Sequence, residues 1–353
     1  MGNWRNGELG NFITLKRGFD LPQQKREDGQ VPIFSSSGIT GTHSTAMVNA
    51  PGVITGRYGT IGEVFYAAED FWPLNTTLFV EDFHGNDAKF IYYFLKTLEW
   101  SKFTSASAVP GINRNTVHKE TVSLPDIETQ RRIASTLSML DEKIKTNTEI
   151  NDNLLEQASS IYQAWFEDFI LSDGSCPPSW KQGTLAGIAD ITSGKRPPVK
   201  SAEKTDNAII PIVGAASVMG YTTEANHTDK ILVTGRVGTH GVVQRFNSPC
   251  WASDNTLVIT SAFYEYTFQI LQRIDYRTMN RGSTQPLITQ GDMNKVPILI
   301  PDNETLLKFE TLVGQLMKQY QVNLLENDKL AELRDALLPR LMSGELDVSD
   351  LDI

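Results

Sequence analysis

The sequence predicts an α+β protein in which a small mixed α/β domain followed by a long coiled-coil helix occurs twice. A seam of core positions runs over residues 130–168 in steps of three and four residues, which is the pattern of a coiled-coil helix. The same seam returns 176 residues further along the chain. Short β-branched and glycine-rich segments precede each seam and predict strands joined by tight turns. The chain is therefore interpreted as an internal duplication.

The two seams correspond position by position. Asn147 aligns with Asn323, and Asn151 aligns with Asn327. A core Asn costs stability in a coiled coil and is retained where it fixes partner and register, so these four are predicted to be helix-register residues. A long solvated surface helix is the alternative, but the pattern extends over about five heptads in both copies. The seams comprise Gln130, Ile133, Leu137, Leu140, Ile144, Asn147, Asn151, Leu154, Ala158, Ile161, Trp165 and Asp168, and then Phe309, Val313, Leu316, Tyr320, Asn323, Asn327, Leu330, Arg334, Leu337 and Leu341.

The repeat divides the chain into four segments. Each domain opens on a Trp-x-x-Gly-x-Leu motif, at Trp4–Leu9 and at Trp180–Leu185. The predicted segments are residues 1–125 (first domain), 126–176 (first long helix), 177–301 (second domain) and 302–353 (second long helix and C-terminal tail).

The most specific repeated motif is Ile54–Gly62, which matches Val233–Gly241. Its β-branched residues alternate with glycines, and glycine adopts positive φ at little cost. The motif therefore predicts strands joined by a tight turn rather than the glycine-rich loop that opens a nucleotide-binding helix. An arginine stands between the glycines in both copies, at Arg57 and Arg236.

Each domain continues into an amphipathic helix and ends in a short strand. Helices are predicted over residues 88–98 and 264–274, with their apolar faces in the core. Asp126 and Asp302 follow the proline after the last strand, where a carboxylate caps the free N–H groups of the next helix. Asp302, Glu304 and Lys308 also resemble nuclease carboxylates with a lysine, but capping explains both copies and no matching lysine follows Glu128.

Composition indicates an ordinary globular protein. The chain has 353 residues, of which 40% are hydrophobic and 21% are charged. No apolar run approaches the length of a membrane span, and the first residues lack the apolar core of a signal peptide, so a cytoplasmic protein is expected. Cys176 and Cys250 have neither the number nor the spacing of a disulfide framework or a metal site.

The net charge of −10 is unevenly distributed. The four segments carry −1, −6, +3 and −6, so the acidic residues concentrate in the long helices. Phosphate affinity depends on local charge rather than on the total, so both globular domains remain candidates for DNA binding. The acidic helices are expected to face protein.

Taken in order and in duplicate, the motifs resemble the specificity (S) subunits of type I restriction-modification systems. The resemblance covers nearly the whole chain. It rests on the opening motifs, the Thr-Gly-Arg-x-Gly-Thr turns, the Leu124-Pro125 entry to a helix, and the segments Ile161–Phe169 and Leu338–Leu346.

The resemblance implies the arrangement and the partners. In that family two target-recognition domains each read one half of a bipartite DNA site. Two antiparallel helices, related with the domains by a pseudo-twofold axis, dock two methyltransferase (M) subunits and set the half-site spacing, and restriction (R) subunits can join. Antiparallel pairing about that axis is expected to place Asn147 near Asn327 and Asn151 near Asn323. It also implies a non-catalytic subunit, and the sequence has no base-flipping loop, Walker lysine or His/Cys cluster. No catalytic residue, metal or cofactor is predicted.

The DNA-binding candidates are polar and basic groups on the domain loops. Arg57 and Arg236 lie at equivalent turns, where a structural ion pair is the alternative. For the remaining residues, turn capping or an ordinary solvated charge uses the same side chains. His240, which replaces Ile61, suits unequal half-sites but is also compatible with drift. The full set is Lys16, Arg17, Ser35, Ser36, Ser37, Arg57, Tyr58, Thr60, Asn113, Arg114, Lys195, Arg196, Arg236, Thr239, His240, Arg281, Ser283 and Gln285.

A second class of function remains open. Duplicated domains on a coiled coil also suit a non-catalytic protein-binding scaffold in which the basic residues are incidental. The turn arginines and the charge distribution favour DNA. Only a DNA-binding protein is expected to show salt-sensitive affinity for duplex DNA.

Overall fold

A computed structural model describes residues 4–104, 110–279 and 287–348. The chain divides into two compact units. Unit 1 comprises Met1–Asn147 together with Leu325–Ile353, and unit 2 comprises Thr148–Leu324. Each unit therefore contains one globular domain and part of both long helices.

The globular part of unit 1 contains nine strands and two helices within the described residues. They are β1 (Arg5–Glu8), β2 (Thr14–Arg17), β3 (Val31–Ser35), β4 (Gly38–His43), β5 (Gly52–Gly56), β6 (Val64–Ala67), β7 (Trp72–Pro73), β8 (Thr77–Asp82), α1 (Ala88–Lys96), α2 (Arg114–His118) and β9 (Thr121–Leu124). These elements include the helix predicted over residues 88–98 and the predicted final strand, but α2 was not predicted.

Two sheets enclose an apolar layer in unit 1. Strands β2, β8, β5 and β6 form an antiparallel sheet in that order, and β4, β3 and β7 form a mixed sheet in which β3 and β7 are parallel. Phe34, Ile54 and Phe71 pack together in this layer and are at most 4% exposed. A second core joins the antiparallel sheet to α1 and to the long helices, with Phe90 and Leu95 fully buried.

Unit 2 repeats the same order of elements and the same sheet topology. The elements of its globular part are β10 (Lys181–Thr184), β11 (Ala189–Ser193), β12 (Ile210–Val213), β13 (Val218–Thr222), β14 (Ile231–Gly235), β15 (Val243–Phe246), β16 (Trp251–Ala252), β17 (Thr256–Ser261), α4 (Tyr264–Arg273), α5 (Gln290–Asn294) and β18 (Pro297–Ile300). Corresponding strands pair in the same direction in both units; for example, β12 and β16 are parallel, as β3 and β7 are. The two long helices are α3 (Ile127–Phe166) and α6 (Asn303–Ser343).

The long helices begin at the predicted aspartates. The Asp126 carboxylate accepts a hydrogen bond from Thr129 N at 3.0 Å, and Asp302 accepts one from Thr305 N at 2.9 Å. These bonds satisfy N–H groups that a helix start leaves free and lower the pKa of Asp302. The capping interpretation is confirmed at both sites.

Within unit 1 the two helices are antiparallel in the predicted register. Asn147 Nδ2 donates to Asn327 Oδ1 at 2.9 Å and to Glu326 Oε2 at 2.7 Å. Six residues before Asn147, Asp141 pairs with Arg334, which lies seven residues after Asn327. Residue numbers that rise on α3 and fall on α6 at successive contacts define antiparallel pairing.

Within unit 2 the second asparagine pair is also confirmed. Asn323 Nδ2 donates to Asn151 Oδ1 at 2.9 Å, and Asn151 Nδ2 donates to Tyr320 O at 3.2 Å. Asn147, Asn151 and Asn323 are at most 4% exposed, so their amides satisfy each other inside the seam.

One end of the predicted first seam is wrong. Asp168 is exposed and lies beyond the end of α3 at Phe166, because Phe169 adopts a left-handed conformation with φ of 52°. The predicted seam residue Trp165 does pack against Phe309, as do Tyr162 and Phe166, which were not predicted.

The described residues contain neither a membrane-spanning helix nor a cluster of metal ligands. Neither long helix, nor any other helix in residues 4–104, 110–279 and 287–348, is apolar enough over 18 residues to cross a membrane. The same residues contain no group of three or more His, Cys, Asp or Glu side chains arranged to hold a metal ion.

Candidate nucleic-acid interface

The repeated Thr-Gly-Arg motif forms a tight turn between two strands in each unit. It follows β5 in unit 1 and β14 in unit 2. A Cβ added at Gly56 would lie 1.8 Å from Thr60 O, and one added at Gly235 would lie 1.9 Å from Thr239 O. The turn therefore closes on its own backbone and requires glycine at both positions. It presents the following arginine outside the sheet.

In unit 1 this turn forms one side of a cationic cleft of about 460 Å³. Three arginines from separate parts of the chain line it, and none of its described lining residues is a carboxylate. The cleft thus combines positive charge with amide and aromatic groups, which suits a polyanion that presents bases. Its lining residues are Arg17, Arg57, Tyr58, Leu78, Gly111, Ile112, Asn113, Arg114 and Asn115.

Arg57 is held by its backbone and by an aromatic ring. Its N–H donates to Thr76 O at 2.8 Å, and its carbonyl accepts from Ile112 N at 3.0 Å. The guanidinium carbon lies 4.4 Å from the centroid of the Tyr58 ring. No carboxylate lies within ion-pair distance among the described residues, so nothing in that part of the chain supports the structural ion pair as the role of Arg57.

The third arginine of the cleft is carried by the short helix α2. Asn113 caps this helix by accepting a hydrogen bond from Asn115 N at 3.0 Å, and the exposed Arg114 follows as its first residue. His118, at the other end, accepts a hydrogen bond from Leu15 N at 2.9 Å and thereby fastens α2 to β2. Burial, and secondarily the Arg114 charge, lowers the pKa of His118, which keeps the accepting nitrogen unprotonated.

Lys16 and Arg17 do not act together. Successive residues of a strand face opposite sides of a sheet, so Arg17 lines the cleft while Lys16 forms an ion pair with Glu81. Arg17 lies 3.8 Å from Asp20, and both side chains are more than half exposed. Such a pair contributes little and leaves Arg17 accessible.

The three serines close the hairpin between β3 and β4. Ser35 Oγ donates to Gly38 O at 3.0 Å, which is the turn capping considered as the alternative role. Ser36 lies beside the arginine turn, with its Oγ 3.2 Å from the Cβ position of Gly59. The hairpin tip and the arginine turn are therefore neighbours in unit 1, and Thr60 is exposed at that turn.

The corresponding turn of unit 2 keeps the backbone frame but changes the side chains. Arg236 N donates to Asn255 O at 2.8 Å, and its carbonyl accepts from Ile288 N at 3.0 Å. Val237 stands where unit 1 has Tyr58. Arg236 Nε is buried without a hydrogen bond, and within the described ranges no carboxylate pairs with the guanidinium.

His240 belongs to this turn rather than to an open surface. Its Nδ1 donates to Gly235 O at 3.1 Å, and its Nε2 is buried with no hydrogen-bond partner in the described part of the chain. Thr239 is exposed beside it. The His240 side chain therefore stabilises the turn that presents Arg236.

Lys195 and Arg196 are exposed but are not equivalent to Lys16 and Arg17. Arg17 pairs with Leu78 across the sheet of unit 1, and Ser193 pairs with Leu257 at the matching place in unit 2. The counterparts of Lys16 and Arg17 are thus Thr192 and Ser193, and the two basic residues follow the strand. Arg281, Ser283 and Gln285 lie outside the described residues.

Comparison with known proteins places this geometry in a family. A family model described as the type I restriction modification DNA specificity domain matches residues 1–156 and, a second time, residues 177–334. The chain belongs to this family. Both copies of the internal repeat are matched, which confirms the resemblance drawn from the motifs.

Individual members of the DNA specificity family are distant in sequence. The MjaIX specificity subunit of Methanocaldococcus jannaschii is 25% identical over 309 residues, covering 76% of this chain and 71% of its own. The HindI specificity subunit of Haemophilus influenzae is 22% identical over 345 residues, covering 71% and 75%. A crystal structure of a type I restriction-modification S subunit from M. genitalium matches over 97% of this chain and 96% of that chain, with a TM-score of 0.66 and 18% identity, which shows a shared fold.

The structure adds residues to this specificity chain that the sequence analysis missed. Asn115 lines the unit 1 cleft although only Asn113 and Arg114 were predicted there. In unit 2, Thr289 and Gln290 are the counterparts of Asn113 and Arg114, because Thr289 caps α5 as Asn113 caps α2. The 176-residue offset between the copies was the signal that would have found them.

Proposed function

We propose that the two units of this specificity chain each read one half of a bipartite duplex DNA target. The unit 1 cleft is the observation that carries the proposal. It brings together Arg17, Arg57, Arg114 and Asn113 beside an aromatic ring, with no carboxylate among the lining residues that the structure describes. Arginine contacts phosphates or binds guanine bidentately, and asparagine binds adenine bidentately, so such a cleft can both hold and read a duplex.

We further propose that the chain performs no chemistry itself and acts through partner subunits. Two M subunits, joined where they are present by R subunits, would supply the methylation and cleavage. The acidic long helices, with −6 in each helical segment, are the proposed docking surface, and their length would set the gap between half-sites. Because such an assembly acts on cellular DNA, we propose that the protein is located in the cytoplasm.

Salt-dependent binding tests the proposal. The full chain, alone and with co-purified M subunits, is titrated against random duplex DNA at about 50 and 200 mM salt in a gel-shift assay. Neutralising several phosphates releases counterions, so affinity should fall by orders of magnitude between these salt concentrations. A protein-binding scaffold would show no such binding.

Methylation provides the second readout. The chain alone should leave DNA unmodified, whereas the chain with M subunits should methylate one bipartite sequence. A preparation of the chain alone that still turns over DNA after removal of contaminants would contradict the non-catalytic role. If the M subunits methylate DNA at random sequences whether or not the chain is present, the recognition role is contradicted.

A further inference from the structure

The two units place different side chains at one equivalent position beside the turn arginine. In unit 1, Ile112 N donates to Arg57 O at 3.0 Å, and α2 begins two residues later at Arg114. In unit 2, Ile288 N donates to Arg236 O at 3.0 Å, and α5 begins two residues later, at residue 290. The same backbone bond therefore fixes the helix to the arginine turn in both units.

The residue at this position is Arg114 in unit 1 and Gln290 in unit 2. Arg114 is exposed and lines the cleft, and it has no ion-pair partner within residues 4–104, 110–279 and 287–348. Gln290 is half-buried, and its amide makes no hydrogen bond within the same residues. Neither side chain is used by the fold that surrounds it.

These two side chains have opposite preferences among the bases. Arginine pairs bidentately with the O6 and N7 acceptors of guanine in the major groove. Glutamine pairs bidentately with N6 and N7 of adenine, where it both accepts and donates. A change from Arg to Gln on the same backbone frame therefore exchanges one base preference for another.

We propose that Arg114 and Gln290 are specificity-determining residues of the two half-sites, with Arg114 reading a guanine and Gln290 reading an adenine at the corresponding place. The proposal rests on the proposed function as a DNA reader. Arg57 and Arg236, which both units share, then contact a feature common to both half-sites. The difference between half-sites arises at the neighbouring helix.

Other equivalent positions differ in the same direction. Arg17 is replaced by Ser193, and Tyr58 by Val237, so at these two positions unit 2 lacks the cationic and the aromatic side chain of unit 1.

Reciprocal exchange tests the assignment. The full chain, in complex with its M subunits, selects from a pool of randomised duplexes, and the bound fraction is sequenced. Arg114→Gln should convert a guanine into an adenine at one position of one half-site, and Gln290→Arg should make the converse change in the other. A lost bidentate pair should change the base ratio by roughly 5- to 150-fold.

Three further variants keep the test falsifiable. Arg114→Lys retains the charge but not the bidentate geometry, so it should relax the preference at the same position. Lys119→Gln and Arg277→Gln remove exposed charges outside the cleft and should leave every base frequency unchanged. Each variant is first compared with the parent by thermal unfolding.

Two outcomes would overturn the proposal in different ways. If Arg114→Gln weakens binding to all duplexes and leaves base frequencies unchanged, Arg114 contacts a phosphate and the specificity assignment fails alone. If the parent complex neither binds duplex DNA nor enriches any sequence, the proposed function fails and the assignment with it.

Discussion

At the scale of single residues, Arg57 and Arg236 show how a scaffold prepares a side chain for a ligand. Each is bonded through its backbone on both sides, so the position of the Cα is fixed. The guanidinium of Arg57 rests on an aromatic ring and that of Arg236 is partly buried. Little side-chain entropy remains to be lost when such an arginine binds, which favours a specific contact over a diffuse one.

Alanine substitution at either arginine should weaken DNA binding. We expect Arg57→Ala and Arg236→Ala each to cost about 1–3 kcal/mol of binding free energy if the arginine reads a guanine. The measurement is a fluorescence titration with a target duplex at fixed salt. Lys102→Ala, which removes an exposed Lys paired with Glu99, is the matched control. Unchanged affinity combined with a lower melting temperature would identify a structural residue instead.

Glu310 introduces a pH dependence into unit 2. Its carboxylate, on α6, accepts hydrogen bonds from Glu265 N at 3.0 Å and Tyr266 N at 2.8 Å at the start of α4. Burial raises the pKa of Glu310 to about 7, although these backbone bonds oppose the change. The folded protein therefore holds a proton at a pH where the unfolded chain has released it.

The sign of the effect follows from linkage. A raised carboxyl pKa contributes stability that is complete below pH 4.5 and is lost as the pH rises to about 7. Glu310→Gln should flatten this segment of the stability curve, by about 1.4 kcal/mol for each unit of pKa difference. Urea unfolding at pH 5 and pH 8 measures it. The exposed Glu304→Gln should leave the curve unchanged, and an equal change in both variants would refute the assignment.

The sequence predicted the role of a residue when its motif occurs in both copies. It did not predict a role that depends on which side of a strand the residue faces. Arg57 could be found because its turn recurs in the second copy. The pairing of Lys16 with Glu81 depends on which side of β2 each residue faces and on the partner strand, neither of which a single segment specifies. For the same reason Lys195 was matched to Lys16, although the true counterpart of Lys16 is Thr192.

At the scale of elements, the seam asparagines form a closed network. Asn151 and Asn323 bond each other, Asn151 also donates to Tyr320 O, and Gln319 Nε2 donates to Asn323 Oδ1 at 2.7 Å. A buried amide with partners costs little, whereas one without partners costs its desolvation. The pair therefore penalises any other register of the helices.

Removing half of the pair should cost more than removing all of it. Asn151→Leu leaves the Asn323 amide without its partner, and we expect a loss of about 1–3 kcal/mol in the free energy of unfolding. Adding Asn323→Leu should recover much of this loss, because two apolar side chains pack in the seam. Urea denaturation of both variants measures the difference. Exposed Asn153→Leu is the control, and additive losses in the double variant would contradict the coupling.

Helices and sheets differed in how far local sequence determined them. Heptad spacing and the Asp126 and Asp302 caps gave the long helices to within a few residues. The antiparallel closure of β1 by β9, and the parallel pair of β3 and β7, join segments far apart in the chain. Local periodicity carries no information on such pairing, so strands were predictable and their order in the sheets was not.

At the scale of the whole molecule, duplication explains why the sequence predicts so much. Each unit has the same sheets, the same arginine turn and the same capped helix, so every observation in one copy checks the other. The differences then stand out as the places where function can diverge. Arg114 and Gln290 are such a place, whereas Gly56 and Gly235 are fixed by the backbone contact that both turns require.

The proposal that the long helices set the gap between half-sites predicts the effect of shortening them. Because Asn151 bonds Asn323 in unit 2, residues 151–157 of α3 face residues 317–323 of α6. Deleting both heptads removes one facing layer and leaves the remaining seam positions in register. Seven helical residues correspond to roughly 10 Å, which is about three base pairs of duplex.

The preferred gap should therefore contract by about three base pairs, while the bases read in each half-site stay the same. Methylation sites are mapped by sequencing DNA modified by the shortened chain with its M subunits. Deleting residues 151–157 alone is the control, because it shifts the helices out of register and should abolish methylation rather than move it. A contracted chain that methylates at the original gap would show that the spacing is set elsewhere, for example by the partner subunits.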